Sequence, residues 1–125
     1  MVTIAFHKDL TPEKWASQPL SWQVLSIASE LGRAETSLTQ GLWDPFKTSL
    51  ERGFELVDLT VEAHRSHEGL LKELLRFREV LAGFYVDPAP GTRAADFKTL
   101  TQVLLTLDPE AYNLLGAASH SGQTE

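Results

Sequence analysis

The chain has 125 residues, a formal net charge of −6 and no cysteine. That length suits one domain with a modest core, and the hydrophobic fraction of 42% with a charged fraction of 22% excludes disorder of the whole chain. The missing cysteine excludes disulfides and thiolate chemistry, and the acidic balance argues against binding nucleic acid through bulk charge.

The N-terminal residues predict an arm followed by a short helix. We expect residues 1–10 to lie on the domain as an arm, with residues 2–6 forming a short extended piece. Thr11-Pro12-Glu13 combines a capping hydroxyl, a proline at the first helical position and an acid in the first turn, which is typical of a helix start. Pro19 ends this helix, because the residue before a proline avoids the α region.

Two long helices follow. Apolar residues at spacings of three and four predict a helix over residues 20–39, with Gly41 as its C-cap. Asp44-Pro45 opens the next helix, which should end near His64 or Arg65. Gly53 lies inside it, where glycine costs roughly 1 kcal/mol relative to alanine, so we expect a close approach of another helix at this point.

The third long helix is predicted to begin at a Ser66 cap and to be central, because its apolar residues cover a wide arc. The prolines and glycine within residues 87–91 predict the longest loop. A helix over 93–107 and a short helix from Asp108-Pro109-Glu110 complete the chain, and residues 119–125 are expected to be a disordered tail.

The apolar faces of these helices must pack against one another, because a single amphipathic helix of this length is only marginally stable in water. The predicted fold class is therefore all-α: one domain over residues 1–125, built as a four-helix up-and-down bundle with short extra helices at the N- and C-terminal ends.

Glu55 and Asp58 form the first candidate site, because carboxylates three residues apart share one helical face. Helical nucleotide pyrophosphohydrolases of the MazG kind use a similar E-x-x-D together with an E-x-x-E on another helix. The chain has no E-x-x-E, so solvated or salt-bridged acids are expected. His64, His67 and Glu68 form a second polar corner that lacks a complete ligand set. We predict no metal, no cofactor and no catalytic residue.

Arg76 and Arg78 flank Phe77, and they are expected to form ion pairs with Glu55 and Asp58 on the neighbouring helix. A sharper interpretation of these four residues is an anion site in which arginine holds phosphate. HEPN-type bundles, which accompany nucleotidyltransferases or act as ribonucleases, suggest this alternative. The nuclease motif of HEPN-type bundles is missing from this sequence. Of the HEPN-type interpretation, only a non-catalytic, partner-binding role therefore remains as an alternative.

The three tryptophans, Trp15, Trp22 and Trp43, lie at or before helix starts and off the main apolar stripes. They either cover one end of the bundle or remain exposed as interface anchors, a role in which tryptophan is enriched.

Two segments carry a resemblance: Glu51 to Thr60, which reads ERGFELVDLT, and Glu73 to Leu81, which reads ELLRFREVL. They are similar to a pattern found in short prokaryotic helical-bundle proteins, in which alanine usually stands at the position of Gly53. That group has no established activity, so the resemblance implies a helical fold and no mechanism.

The function expected from the sequence is therefore non-enzymatic association, either with itself as a dimer or as an accessory subunit of another protein. The alternative is a nucleotide- or phosphate-binding bundle, as an enzyme or as the partner of a nucleotidyltransferase, using the cluster Glu55, Asp58, Arg76 and Arg78. No apolar run approaches the ~20 residues that span a bilayer, and residues 1–8 do not resemble a signal peptide, so we expect no membrane partner and a cytoplasmic location.

Overall fold

The computed structural model describes residues 4–86, 94–111 and 113, and every regular element in this part of the chain is a helix. Four of the helices are long. The predicted loop at 87–91 and the predicted tail at 119–125 lie outside the described residues. The all-α fold class is thus confirmed. The helices are α1 (Pro12–Ala16), α2 (Leu20–Thr39), α3 (Trp43–Ala63), α4 (Glu68–Val86) and α5 (Ala94–Leu105), and residues 109–111 are again helical.

The first two helices have the predicted ends. Thr11 caps α1, because its Oγ1 accepts a hydrogen bond from the backbone N–H of Lys14 at 3.1 Å. α2 covers the predicted residues and ends in a Schellman motif, in which Gly41 adopts a φ of 71°. The backbone N–H of Leu42 then reaches the carbonyl of Ser37 at 2.8 Å. The positive φ explains the glycine at this position.

The starts of α3 and α4 differ from the prediction. α3 begins one residue early, at Trp43, and no side chain caps it, so Asp44 lies in the first turn instead. The prediction that Ser66 caps the third long helix is wrong. α4 begins after His67, whose ring Nδ1 accepts a hydrogen bond from the backbone N–H of Leu70 at 3.2 Å. The imidazole takes the capping role that a hydroxyl usually has.

α2 and α3 form the centre of the structure. α2 packs against α3 and α5, and α3 packs against α1, α2 and α4. The expectation that the third long helix is central is wrong. α4 packs chiefly on α3, and about half of Leu75 and Val80 on α4 is exposed. A wide apolar arc shows how much surface a helix could bury, but it does not show that a neighbour covers all of it.

α2 and α3 run antiparallel, and so do α3 and α4. Along α2 and α3, Gln23 meets His64 and Glu30 meets Arg52, so residues later in α2 meet residues earlier in α3. Tyr85 of α4 likewise meets Glu51 near the start of α3. Short connections between sequential helices produce this arrangement.

The core is a continuous cluster of apolar side chains from all five helices. Aromatic rings join its distant parts, because Phe97 of α5 lies 5.4 Å from Phe46 of α3 and 5.2 Å from Phe84 of α4, measured between ring centroids. Edge-to-face and tilted pairs of this kind add stability beyond burial alone. Within the described residues, no helix has both the length and the apolar content needed to cross a membrane.

Candidate functional site

Glu55 binds the N-terminal segment rather than an arginine. Its carboxylate accepts hydrogen bonds from the backbone N–H groups of Ala5 at 2.6 Å, Phe6 at 3.0 Å and His7 at 2.7 Å, and the ring Nδ1 of His7 lies 2.7 Å away. Burial alone would raise the pKa of Glu55, but these hydrogen bonds to the charged form lower it to about 2. Glu55 is therefore ionised and holds residues 5–7 against α3.

Glu30 is a second buried acid, and it lies on α2 beside the first. Its Oε2 accepts from Nη1 of Arg33 at 3.0 Å and from Nε of Arg52 at 3.5 Å, and Nε2 of His7 lies 3.4 Å away. The imidazole of His7 thus contacts two carboxylates from neighbouring helices. The second oxygen of Glu30, Oε1, is buried and has no hydrogen-bond partner among the described residues. Such an oxygen is costly to leave unpaired.

Two clefts share Arg33 and Arg52 in their walls. The first has a volume of about 380 Å³ and is lined also by His7, Ser29 and Glu30, among others. The second has a volume of about 490 Å³. Its other lining residues are Asp44, Pro45, Thr48 and Ser49. Arg33 and Arg52 therefore lie between the two clefts, and both clefts are also lined by side chains with hydroxyl groups.

The structure brings together two of the four residues in the predicted polar cluster. Asp58 and Arg78 form an ion pair between α3 and α4, with the guanidinium Nε 2.5 Å from Oδ1. The carboxylate of Asp58 raises the pKa of Arg78 through this hydrogen bond. Glu55 instead binds the N-terminal segment, and Arg76 lines a groove between α4 and α5. Both members of the ion pair are partly exposed, as expected for a pair that links two helices.

The three tryptophans have different roles. Trp15 is a core residue rather than an interface residue, because it is 5% exposed and its indole N–H donates to Oγ1 of Thr60 at 3.0 Å. Trp22 and Trp43 are 63% and 46% exposed. These two do not lie near one end, because they stand close to opposite ends of α2, whose 20 residues rise about 30 Å.

Two of the three residues of the predicted polar corner, His64 and His67, have structural partners. Nε2 of His64 lies 2.8 Å from Oε1 of Gln23, whose amide N–H donates to the carbonyl of Trp15. Burial, followed by the nearby His67, lowers the pKa of His64, which favours the neutral ring. His67 caps α4. In residues 4–86 and 94–111, no group of three or more His, Cys, Asp or Glu side chains is arranged to hold a metal ion.

An apolar groove of about 310 Å³ separates α4 from α5. Its floor contains buried side chains such as Phe77 and Leu100, and half-exposed Val80 and Val103 stand at its sides. Charged side chains of both α4 and α5 also line the groove. The complete lining consists of Glu73, Arg76, Phe77, Val80, Phe84, Asp96, Thr99, Leu100, Val103, Thr106 and Leu107.

The sequence pattern did not indicate the site around Glu30, because Glu30 and Arg33 are not among the regularly spaced apolar residues that predict α2. The sequence feature that could have indicated this part of the structure was Gly53. A Cβ built there would lie 3.7 Å from Cβ of Glu30, which is ordinary van der Waals contact. Gly53 therefore faces α2, but the expected close approach that would require a glycine is not present. No family model matches the chain, and no curated protein or solved structure matches it.

Proposed function

We propose that the protein works by association with a second copy of itself, and that the groove between α4 and α5, with its flanking side chains, forms the interface. The observation that carries the proposal is the open apolar groove at the outer side of α4 and α5. Exposed apolar surface that is continuous with a core commonly marks a protein interface in a domain of this size. We call the residues lining this groove, listed above, the α4/α5 face.

The two helices contribute equivalent stripes to this face. Residues 73, 76, 77, 80 and 84 of α4 have the same spacing as residues 96, 99, 100, 103 and 107 of α5 and its end. The steps are three, one, three and four residues in both sets, which places each set along one side of a helix. Two helices with matched stripes can pack on the same two helices of a second copy, which would give a symmetric layer of four.

Charge supports a second copy rather than an unrelated partner. Glu73 and Arg76 are exposed, lie three residues apart on α4, and carry opposite signs on the same stripe. In a two-fold dimer each patch meets its own copy, so residue i of one subunit faces residue j of the other and the reverse. Arg76 of one copy would then meet Glu73 of the next, and this contact would form twice.

The proposal also includes the order and direction of the helices. The antiparallel contacts of α2 with α3 and of α3 with α4 support an up-and-down bundle of the four long helices. The cytoplasmic location stays a prediction from the sequence.

A charge exchange tests whether the partner is a second copy. R76E places two acids on the stripe, and E73R places two bases there, so each variant should fail to dimerise alone because like charges meet across the two-fold axis. Mixing the two variants should restore a dimer of one copy of each. Self-association that is unchanged in either variant alone, or a mixture that stays monomeric, would contradict the proposal.

A further inference from the structure

His67 caps α4 in a way that requires an unprotonated ring nitrogen. Its Nδ1 accepts a hydrogen bond from the backbone N–H of Leu70 at 3.2 Å, and its backbone carbonyl accepts from the N–H of Leu71 at 2.8 Å. An imidazole nitrogen accepts only while it carries no proton, and both nitrogens are donors in the charged ring. Protonation therefore turns the capping acceptor into a donor that faces the N–H of Leu70.

The same protonation would place a positive charge where a helix least favours one. Unpaired N–H groups give the N-terminus of a helix a partial positive charge, so a cation there is unfavourable. His67 is exposed, so protons reach its ring from the solvent. Histidine is the side chain whose ordinary charge change falls between pH 5 and 8. A cap made by histidine is thus sensitive to pH in that range, whereas a cap made by serine or asparagine is not.

His64 disfavours a positive charge at the same turn. Its Nε2 lies 2.8 Å from Oε1 of Gln23, and its backbone carbonyl accepts from the N–H of His67 at 3.0 Å. Burial, followed by the nearby His67, lowers the pKa of His64 below its ordinary 6.5. Protonating such a histidine costs stability, so the folded state is favoured above pH 6.5 and loses stability as the pH falls below that value. Both histidines therefore hold the turn best at neutral pH.

The charged groups around the turn do not replace the lost acceptor. From α2, Gln23 presents a neutral amide, and at the end of α3 Glu62 already pairs with Arg65 at 2.7 Å. Glu68 begins α4 directly after His67, and its negative charge favours a cation nearby. The carboxylate of Glu68 offsets part of the charge of a protonated ring, but two donors would still face each other at the cap.

We propose that the turn between α3 and α4, residues 64–67, is an acid-sensitive switch. At neutral pH the ring of His67 caps α4, and protonation of this ring releases the first turn of the helix. These residues do not line the α4/α5 face, so the switch does not depend on the dimer. It also differs from the attachment of the N-terminal segment to Glu55, because the carboxylate of Glu55 stays ionised throughout the range in which histidine titrates.

Carbon-13 NMR tests the switch, because Cα chemical shifts report the helix content of each residue. In the wild type, the shifts of residues 68–71 should be helical at pH 7.5 and move toward random-coil values at pH 5.0, where an ordinary histidine is mostly protonated. H67N supplies an amide oxygen that caps helices well and does not titrate, so its shifts should stay helical at both pH values. H67A has no capping side chain and should show the same reduced helix content at both.

Urea unfolding gives the size of the effect. Between pH 7.5 and pH 5.0, the folding equilibrium constant of the wild type should fall about fivefold relative to that of H67N, because a side-chain cap typically contributes that much. His64 is present in both proteins, so its own titration cancels in this comparison.

H7Q is the control, because His7 lies next to Glu55 and away from the turn. Residues 68–71 of this variant should respond to acid as they do in the wild type. Wild-type shifts that stay helical at pH 5.0, an H67N variant that loses helix content as the wild type does, or a response that disappears in H7Q would overturn the proposal.

Discussion

Glu55 binds His7 through both the backbone N–H and the ring Nδ1, each at 2.7 Å, although 48 residues separate the two in the sequence. Together with the N–H groups of Ala5 and Phe6, these contacts fix the N-terminal segment across α3. The carboxylate is the point at which the segment is attached, so its charge controls how firmly the segment is held.

This attachment makes stability depend on pH. The pKa of Glu55 is about 2 in the folded protein, compared with 4.5 for an unperturbed glutamate. A lowered pKa stabilises the folded state above pH 4.5, and the contribution is lost as the pH falls from about 4.5 to about 2. E55Q should therefore reduce the free energy of unfolding by about 3 kcal/mol at pH 7. The difference from the wild type should nearly vanish at pH 2.

Urea unfolding at pH 7 and pH 2 measures this effect. E62Q is a suitable control, because Glu62 pairs with Arg65 on the surface, and surface pairs contribute little to stability. Equal losses in E55Q and E62Q at pH 7 would show that the N-terminal segment is not held by the carboxylate of Glu55.

Alanine at position 53 should stabilise the protein. The approach of α2 is ordinary van der Waals contact, since an added Cβ would lie 3.7 Å from Cβ of Glu30. G53A should then raise the free energy of unfolding by about 0.5–1 kcal/mol, the usual gain for replacing glycine inside a helix. G32A is the matched control, because a Cβ at Gly32 of α2 meets nothing within 4 Å. A gain in G32A with a loss in G53A would show that the helices lie closer together than described.

The hydrogen bond between Trp15 and Thr60 should contribute to stability as a buried polar pair. T60V keeps the shape of the side chain but leaves the indole N–H without its acceptor, so we expect a loss of about 1–3 kcal/mol in denaturant unfolding. T36V serves as the control, because the hydroxyl of Thr36 binds its own helix at an exposed position. If T60V and T36V unfold at the same denaturant concentration, Trp15 has another partner or a different position.

The ion pair of Asp58 and Arg78 should contribute little by itself. Its side chains are 35% and 41% exposed, and exposed pairs typically contribute below about 1 kcal/mol. A double-mutant cycle with D58N and R78Q should give a coupling energy in that range, decreasing as salt is added. A coupling energy above about 2 kcal/mol that does not respond to salt would instead indicate a desolvated pair.

The helices were largely predictable, because an apolar residue every three or four positions gives each of them a face that must be buried. The first two helices show this most clearly: the Thr11 cap, the boundaries of α2 and the turn at Gly41 all follow from local chemistry that residues near in sequence determine. The prediction that Ser66 caps α4 was wrong for an equally local reason. The imidazole of His67, at the next position, competes for the same N–H groups.

The arrangement around Glu55 was not predictable from the sequence. Its partners are backbone N–H groups, which every residue except proline has, so no residue type signals the contact. The exposure of α4 was equally hidden, because the same apolar stripe can face a helix of its own chain or a second molecule. Trp15 and Trp22 illustrate the point, since one is buried and the other is exposed although both stand near helix starts.

Sedimentation equilibrium over a range of protein concentrations tests association through the α4/α5 face most directly. The wild type should approach twice the chain mass of 13.9 kDa, and V80E with V103E should remain at the mass of one chain. L42E should still dimerise, since Leu42 is exposed to a similar degree but lies outside this face. A wild type that stays at the single-chain mass at every concentration, or a V80E/V103E variant that associates as well as the wild type, would contradict the account.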